Sequence, residues 1–350
     1  MIAPLDWGLG HATRCIPIIR YCISRGHEVV LASTGRSLRL LQEEFPQLHS
    51  VDMPAYNIYY QKKGSFILKI AVQLGKVLRG IMREHRQTAA LVKEHRIDLI
   101  ISDNRYGVRC TDVPSILITH QMMVKVPGFW PAEWVVYQWL KGRHRKFDQV
   151  WIPDAPGDVN IAADLSHARK QQKNAVFIGV LTRFQEPAVM PACDIDVLVI
   201  LSGPEPQRTV FEEKTIAQLR DAKGLRCVVV RGVSEVKEEY FPEGHIRCIA
   251  YADANTLYDL VLRSRIIISR GGYSTLMDLA RLHKKCICIP TPGQTEQEYL
   301  VEVLAKKNLV IYQTQENMDL HSAIQMAGST GPFFIDVDPL LYKKAVDSVL

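Results

Sequence analysis

A loop near the start of the chain combines two glycines with a histidine that could act as a base. Residues 6–11, Asp-Trp-Gly-Leu-Gly-His, lie between a short apolar run and a helical pattern. Gly8 and Gly10 would let a ligand approach the backbone closely, and the N-terminus of the following helix offers free amide donors. A dinucleotide fingerprint needs a third glycine where Thr13 stands, so no nicotinamide site is predicted. A helix cap or a simple ligand contact remains an alternative role for His11.

The segment 266–280 gives the strongest signal for a phosphate site. An apolar run ends at Ser269-Arg270-Gly271-Gly272, and a helical pattern follows. The amides of Gly271 and Gly272 and the helix dipole are suited to holding phosphate. Asp278 lies about one and a half helical turns further on, where a carboxylate can accept hydrogen bonds from two ribose hydroxyls.

Two more loops carry polar groups after predicted strands. Ser202 and Gly203 open one of them, and Arg208 stands where its helix begins, although ordinary turn chemistry accounts for the same residues. The other contains Gln294, Gln297 and Glu298, whose side chains suit sugar hydroxyls. Because the carboxyl ends of parallel strands meet at one edge of a sheet, these loops predict one site.

The elements that must position these loops form two alternating series of strands and helices. At 350 residues the chain exceeds the roughly 250–300 residues at which one core stops growing. Continuous apolar strands between helical patterns predict parallel sheets covered on both faces, hence two doubly wound, Rossmann-like α/β domains facing a central cleft. The predicted units are a first domain at 1–184, a linker at 185–193, a second domain at 194–335 and a C-terminal helix at 336–350 that packs on the first domain.

Composition excludes several classes of protein. Hydrophobic residues make up 47% and charged residues 23%, which is ordinary for a globular protein. No apolar run reaches the roughly 18 residues of a membrane span, and no signal peptide is evident. Neither the eight cysteines nor the eleven histidines are spaced like a metal site or a redox pair. These patterns predict a cytoplasmic protein with reduced thiols and no metal.

Positive charge is concentrated in one region. Residues 60–146 hold 16 Lys or Arg and six Asp or Glu, although the whole chain has a net charge of only +6. Lys62, Lys69, Lys76 and Arg83 recur every seven residues on a predicted amphipathic helix, and Trp130, Trp134, Tyr137 and Trp139 follow. Such a surface could rest on an anionic membrane, or it could be a solvated helix face. No nucleic-acid reader motif is present.

Two segments resemble the GT-B glycosyltransferases, specifically the family 28-like relatives of the enzyme that adds N-acetylglucosamine to the peptidoglycan lipid carrier. They are GLGHATRCIPIIRYCISRGHEV and SRGGYSTLMDLARLHKKCICIPTPGQTEQEYLV. The resemblance implies that Gly10 and His11 face the acceptor and that Ser202 and Gly203 line the phosphate side. Gly271 and Gly272 would approach the donor diphosphate, Asp278 the ribose, and Gln297 and Glu298 the donor sugar. His120-Gln121 resembles part of the family's acceptor motif, whereas Glu298 and Val301 depart from its glutamine and asparagine.

The expected activity is therefore inverting, metal-independent transfer of a hexosamine or hexose from a UDP-sugar, such as UDP-N-acetylglucosamine, to a glycan or lipid-linked acceptor in cell envelope synthesis. His11 would be the base and Asp103 would orient it, as an aspartate does in other GT-B enzymes; an Asx-turn is the alternative for Asp103. Arg270 or Arg208 would stabilise the leaving group, without cofactor or metal. Asp194-Ile-Asp196 and Asp336-Val-Asp338 resemble metal motifs, but neither follows a strand as such a motif should. A nucleotide-sugar hydrolase and a non-catalytic sugar-nucleotide-binding protein remain alternatives.

Overall fold

The computed structural model describes residues 1–55, 66–125, 130–168, 171–185, 187–233 and 238–350, with side chains placed for all of these except 66–74 and 130–132. Two seven-stranded sheets follow each other along the chain. Among the described residues, no helix is long and apolar enough to cross a membrane.

The first sheet is entirely parallel and has the strand order β3-β2-β1-β4-β5-β6-β7. Its strands are β1 (Ile2–Pro4), β2 (Leu31–Ser33), β3 (Ser50–Asp52), β4 (Ile100–Asp103), β5 (Ser115–Ile118), β6 (Gln149–Ile152) and β7 (Ala175–Phe177). The helices between them are α1 (Leu9–Ser24), α2 (Gly35–Glu44), α3 (Phe66–Glu94) and α4 (Trp130–His144). The order reverses between β1 and β4, which places a binding crevice beyond the carboxyl ends of these strands.

The second sheet has the order β10-β11-β9-β8-β12-β13-β14 and is parallel except for its edge strand β10. Its strands are β8 (Ile195–Ile200), β9 (Cys227–Val230), β10 (Glu239–Glu243), β11 (Ile246–Ile249), β12 (Ser264–Ser269), β13 (Lys285–Cys288) and β14 (Ile311–Tyr312). The helices are α5 (Gln207–Leu219), α6 (Ala254–Arg263), α7 (Tyr273–Arg281), α8 (Thr295–Lys306), α9 (Leu320–Ser329) and α10 (Leu341–Asp347).

Apolar runs form the central strands because helices cover both faces of each sheet. All four residues of β9 are buried, and so is the run from Ile266 to Ser269 in β12. The prediction of two doubly wound α/β domains is thus confirmed. The sequence patterns missed α2, α9 and the strands β3, β7, β10 and β11. No residue of β3, β7 or β10 is buried, so these strands lack the continuous apolar run of a central strand.

The two domains touch directly through α1, α7 and α10. A Cβ atom added to Gly10 on α1 would lie 2.5 Å from Oγ of Ser274 on α7, so glycine permits this close approach. The last helix, α10, lies against α1, where the Tyr21 hydroxyl donates to Asp347 at 2.8 Å and its ring meets Tyr342 edge-on. One apolar cluster joins residues of both domains, including Ile16 and Met277.

Candidate active site

A cavity of about 900 Å³ lies between the two domains and is lined from both sides. The first domain contributes His11 and His120 to its wall, and the second contributes Gly272, Gln294 and Gln297. The cavity therefore brings together predicted residues from loops that are up to 286 positions apart in the sequence.

The proposed base and its partner are in contact. Nδ1 of His11, near the start of α1, lies 2.9 Å from Oδ1 of Asp103 at the end of β4. Asp103 is fully buried, whereas the His11 side chain is 16% exposed and lines the cavity. If Nδ1 donates to Asp103, the imidazole presents Nε2 with a free lone pair, as a base requires.

Arg14 completes this cluster from the next turn of α1. Its Nε donates to Oδ2 of Asp103 at 2.5 Å and its Nη2 donates to Oδ1, so the guanidinium grips the carboxylate with two parallel hydrogen bonds. Nη2 also lies 3.0 Å from Nδ1 of His11. The Asp103 carboxylate can only accept and the Arg14 guanidinium can only donate, so the two neighbours favour opposite tautomers of His11. A proton on Nδ1 is the tautomer that pairs with the carboxylate.

The same contacts set the charges of the cluster. Burial alone would raise the pKa of Asp103, but Arg14 and His11 lower it to about 2. Burial lowers the pKa of His11 below its usual value, Asp103 opposes this shift, and Arg14 adds to it. Near neutral pH, Asp103 is therefore an anion and His11 an uncharged imidazole.

A second chain of polar contacts crosses between the domains. His120, after β5, places Nδ1 3.3 Å from Nη1 of Arg14 and Nε2 3.0 Å from Oε1 of Glu296 at the start of α8. Gln121 donates to the other Glu296 oxygen at 2.6 Å. The ring of Tyr273 stacks on His120 with centroids 3.9 Å apart. Burial opposes ionisation of Glu296, but His120 and Gln121 lower its pKa to about 2.

The glycine loops meet at the carboxyl edge of the second sheet, as their positions in the sequence predict. Gly271 has a left-handed φ of 73°, and a Cβ there would lie 2.3 Å from Cγ2 of Val301, so both the turn and the packing require glycine. Gly203, with φ of 105°, lies beside Thr291 of the loop after β13. Ser202 and Gly203 are exposed, and Gly272 lines the cavity just before α7 begins.

The two arginines expected at the leaving group have internal partners. Arg270 is 1% exposed, stacks on Phe211 at 4.1 Å, and donates to Oε1 of Gln315 at 2.7 Å and to the carbonyl of Gln207. Burial lowers its pKa to about 10. Arg208 is 8% exposed and pairs with Glu205 and Glu212. In this arrangement both guanidinium groups hold loops of the second domain together, and neither lines the cavity.

Some of the residues expected to bind ribose and sugar line the cavity, whereas others shape its loops or lie outside it. Gln297 lines the cavity and accepts from the amide of Thr291 at 3.0 Å, whereas Glu298 accepts from the amide of Gly293 at 2.9 Å and shapes the loop. Asp278 lies outside this cavity and accepts a 2.5 Å hydrogen bond from Thr182. Burial raises the pKa of Asp278 to about 6 against the opposing effect of Arg183.

The Asp-x-Asp motifs are occupied by basic side chains. Asp194 pairs with Arg263 at 2.5 Å, Asp196 with Arg226 at 3.4 Å, and Asp338 with Lys344 at 2.7 Å. In the ranges that the structure covers, no group of three or more His, Cys, Asp or Glu side chains could hold a metal ion.

Three residues of the cluster carry no role in the sequence patterns: Arg14, Tyr273 and Glu296. A signal for Arg14 exists, because it lies three positions after His11 on a helix and therefore shares its face. Glu296 is an acid in the first turn of α8, where a helix dipole stabilises a carboxylate. Their partners lie in the other domain or on another strand, so spacing alone does not reveal them.

Two doubly wound α/β domains that face each other across a cavity are the architecture of the GT-B class of glycosyltransferases. The model of Glycosyl transferase family 1 matches residues 6–326. The chain belongs to this family and is a glycosyltransferase.

Known proteins agree with this assignment. An "uncharacterized glycosyltransferase" of Methanosarcina mazei is 21% identical over 321 residues, covering 86% of this chain and 81% of that protein. One from Methanopyrus kandleri is 22% identical over 305 residues, covering 81% and 83%.

Solved structures share the fold. The glycotransferase of kitacinnamycin has a TM-score of 0.67 at 15% identity, covering 99% of this chain and 92% of that one. The spinosyn rhamnosyltransferase SpnG, complexed with thymidine diphosphate, has a TM-score of 0.64 at 13% identity, covering 99% and 94%. MurG of Acinetobacter baumannii has a TM-score of 0.57 at 12% identity, covering 99% and 98%.

Proposed function

We propose that this glycosyltransferase uses His11 as the general base in an inverting transfer from a nucleoside diphosphate sugar to an acceptor hydroxyl. The observation that carries the proposal is the 2.9 Å contact between Nδ1 of His11 and Oδ1 of the buried Asp103, because a proton on Nδ1 leaves Nε2 for the cavity side. The contacts of the His11 ring with Asp103 and Arg14 are both at Nδ1, so Nε2 is available to a substrate hydroxyl in the cavity.

The proposed reaction is a single displacement. His11 Nε2 takes the proton of the acceptor hydroxyl as the oxygen attacks the anomeric carbon. The bond from that carbon to the diphosphate oxygen breaks, and the nucleoside diphosphate leaves with the electron pair. Attack from the first-domain side on a donor held by the second domain inverts the anomeric configuration.

Replacement of His11 tests the proposal. We expect His11→Ala to lower kcat by about a hundredfold or more, since a positioned base contributes on that order. His283→Ala, on the second domain, is the control and should retain activity. Normal turnover by a folded His11→Ala protein would disprove the role of His11, and stoichiometric release of free sugar without acceptor would identify a hydrolase instead.

We propose a UDP-sugar carrying a hexose or hexosamine as donor, with the N-terminus of α7 facing its diphosphate. Gly272, immediately before that helix, lines the cavity, and helix N-termini bind phosphate through free amides. Thymidine diphosphate is bound by the similar structure SpnG, so the base must be tested. A thermal-shift comparison of UDP, TDP and GDP should give the largest stabilisation with UDP; a larger shift with TDP would overturn this choice.

We also propose that transfer needs no metal, because helix amides and glycine loops at the carboxyl edge of the second sheet can neutralise the leaving diphosphate. Activity should therefore be unchanged after dialysis against EDTA. Loss of turnover that added Mg²⁺ or Mn²⁺ restores would contradict the proposal.

We also propose that α3 lies against the surface of an anionic membrane in the cell envelope. The acceptor in this proposal is a glycan or a lipid-linked molecule. The exposed basic positions on α3 are Lys76, Arg79, Arg83, Arg86 and Lys93. Lys62 and the side chains of Lys69 and Trp130 lie outside the described residues. The triple variant Arg79→Gln/Arg83→Gln/Arg86→Gln should sediment less with phosphatidylglycerol vesicles at low salt. The control is the triple variant Arg220→Gln/Arg226→Gln/Arg265→Gln, which should sediment like the unmodified protein. Equal sedimentation of the two variants would oppose the proposal.

A further inference from the structure

The turn after β4 connects the partner of the base to a second buried ion pair. Asp103, which contacts His11, is the last residue of β4, and Arg105 follows two positions later. Nε of Arg105 donates to Oε1 of Glu84 on α3 at 2.7 Å, and both side chains are buried. Removing one partner of such a pair leaves an uncompensated charge in the interior, so each side chain fixes the other. The turn is therefore bound to α3 close to the catalytic pair.

Glu84 binds the turn with both of its carboxylate oxygens. While Oε1 accepts from Arg105, Oε2 accepts from the amide of Gly107 at 3.1 Å. The helix also meets the turn at the backbone, because a Cβ atom added to Gly107 would collide with the carbonyl oxygen of Ile81. The turn thus lies directly on α3, with no space left between them at this point.

Arg105 uses its other donors on the segments beside Asp103. Nη2 donates to the carbonyl of Pro54 at 2.7 Å, and Nη1 donates to the carbonyl of Pro4 at 3.4 Å. Pro4 is the residue of β1 that lies opposite Asp103 in the sheet. The main-chain carbonyl of Arg105 accepts from the hydroxyl of Ser102 at 2.7 Å, on the other side of Asp103 along the chain. The ion pair therefore also fixes the end of β4.

The backbone between Asp103 and Arg105 needs such support. Asn104 has a φ of 54°, in the left-handed region that residues other than glycine adopt uncommonly. Such a conformation persists where the surrounding structure holds it in place. Glu84 supplies this constraint on one side, and a 3.1 Å hydrogen bond from the amide of Asn104 to the carbonyl of Ile118 supplies it on the other.

We propose that Glu84 is a positioning residue for sugar transfer. By fixing the turn after β4, it holds the carboxylate of Asp103 in place beside Nδ1 of His11. Neither Glu84 nor Arg105 lines the cavity, so the pair acts on the reaction through Asp103 and not through a substrate. This role rests on the proposed function, since it concerns the orientation of the same base.

Glu84→Gln tests this role, because it keeps the size of the side chain and removes its charge. We expect kcat to fall by about tenfold or more, since small misplacements of reacting groups cost on this order. The KM for the donor and the affinity for UDP should be unchanged, because the proposed donor site belongs to the second domain. The matched control is Glu94→Gln, which removes the same charge from an exposed position of α3 and should behave like the unmodified protein.

The pH profile separates positioning from a loss of stability. A carboxylate that moves away from His11 stabilises the imidazolium less, so the acidic limb of kcat/KM should move to lower pH. The double variant Glu84→Gln/Arg105→Gln leaves the net charge unchanged and no buried charge unpaired, so its shift reports the displacement of Asp103 alone. It also carries the test if circular dichroism shows that the single variant is unfolded. An unmoved acidic limb in the folded variants would overturn the proposal, whatever their melting temperatures.

The nitrogen chemical shifts of the His11 imidazole give a second measurement, without donor or acceptor. They report the pKa and the tautomer of the ring, and the pKa should be lower in Glu84→Gln and in the double variant than in Glu94→Gln. An unchanged pKa would contradict the positioning role even where turnover is reduced. His11→Ala, assayed in parallel, separates two failures. Its normal turnover would refute the base itself, whereas an inactive His11→Ala beside a fully active Glu84→Gln would refute only the role of Glu84.

Discussion

His11 is influenced by two neighbours of opposite charge at the same ring nitrogen. Asp103 Oδ1 lies 2.9 Å and Arg14 Nη2 lies 3.0 Å from Nδ1. The carboxylate favours the imidazolium and the guanidinium disfavours it, so the two residues shift the pKa of His11 in opposite directions. A single substitution at either neighbour can therefore raise or lower the pKa of His11.

This balance predicts opposite changes in the pH profile. A base must be deprotonated, so kcat/KM should fall as the pH drops through the pKa of His11. Arg14→Gln removes a cation, raises that pKa and should move the acidic limb to higher pH. Asp103→Asn removes an anion, should move the limb to lower pH, and should reduce kcat by about a hundredfold through loss of orientation.

The control for both variants is Arg14→Lys, which retains the positive charge and should shift the acidic limb of the pH profile least. Circular dichroism would verify that each variant is folded. Shifts of the same sign for Arg14→Gln and Asp103→Asn would contradict the electrostatic account.

At the scale of elements, α7 borders the cavity at its start and carries a buried carboxyl further along. Its N-terminus lines the cavity, while Asp278 further along contacts Thr182, which follows β7, the last strand of the first domain. Burial raises the pKa of this carboxyl to about 6, above the ordinary value of 3.8. Asp278 is thus ionised more easily in the unfolded chain than in the native protein. The free energy of unfolding therefore falls as pH rises from about 4 to about 6, and it stays at the lowered value above that range.

Asp278→Asn should therefore stabilise the protein at pH 7.5, by on the order of 1–2 kcal/mol, with the gain vanishing toward pH 4. Urea unfolding at the two pH values measures it. If Asp278 also accepts from the donor ribose, the same variant should bind UDP more weakly. A variant that is less stable at pH 7.5 would show that the hydrogen bond to Thr182 outweighs the burial cost.

The order of elements and the loops that carry chemistry were predictable, but the directions of several side chains were not. Apolar strands followed by glycine turns fix where Gly271, Gly272 and His11 lie, because backbone chemistry is local. Arg270 appeared suited to a phosphate, yet it turns inward to Phe211 and Gln315, a partner 45 residues away. Such contacts depend on the packing of distant segments, which local pattern does not encode.

For the whole molecule, Glu296 makes a charged contact between the two walls of the cleft. Its carboxylate accepts from His120 and Gln121 of the other domain. Because its pKa is about 2, the anion persists throughout the pH range in which the protein would be assayed. Loss of this charge should weaken closure of the cleft without unfolding either domain.

Glu296→Gln should increase the radius of gyration in solution scattering and raise the KM for the donor several-fold, while the melting temperature changes little. Glu302→Gln is the matched control on the same helix, because Glu302 pairs with Lys306 one turn away, at 2.6 Å. Identical scattering and kinetics for the two variants would show that Glu296 does not hold the cleft closed.

The contact of Tyr273 and Glu296 with His120 also bears on enzyme engineering. Exchange of whole domains between related glycosyltransferases is an obvious route to new pairings of donor and acceptor. Here the junction is not confined to the connecting segment, since the Tyr273 ring stacks on His120 and its hydroxyl donates to the carbonyl of Pro153 at 2.5 Å. A chimera that takes the second domain from this chain must therefore also carry compatible residues at 120, 121 and 153, or its two halves will fold without fitting together.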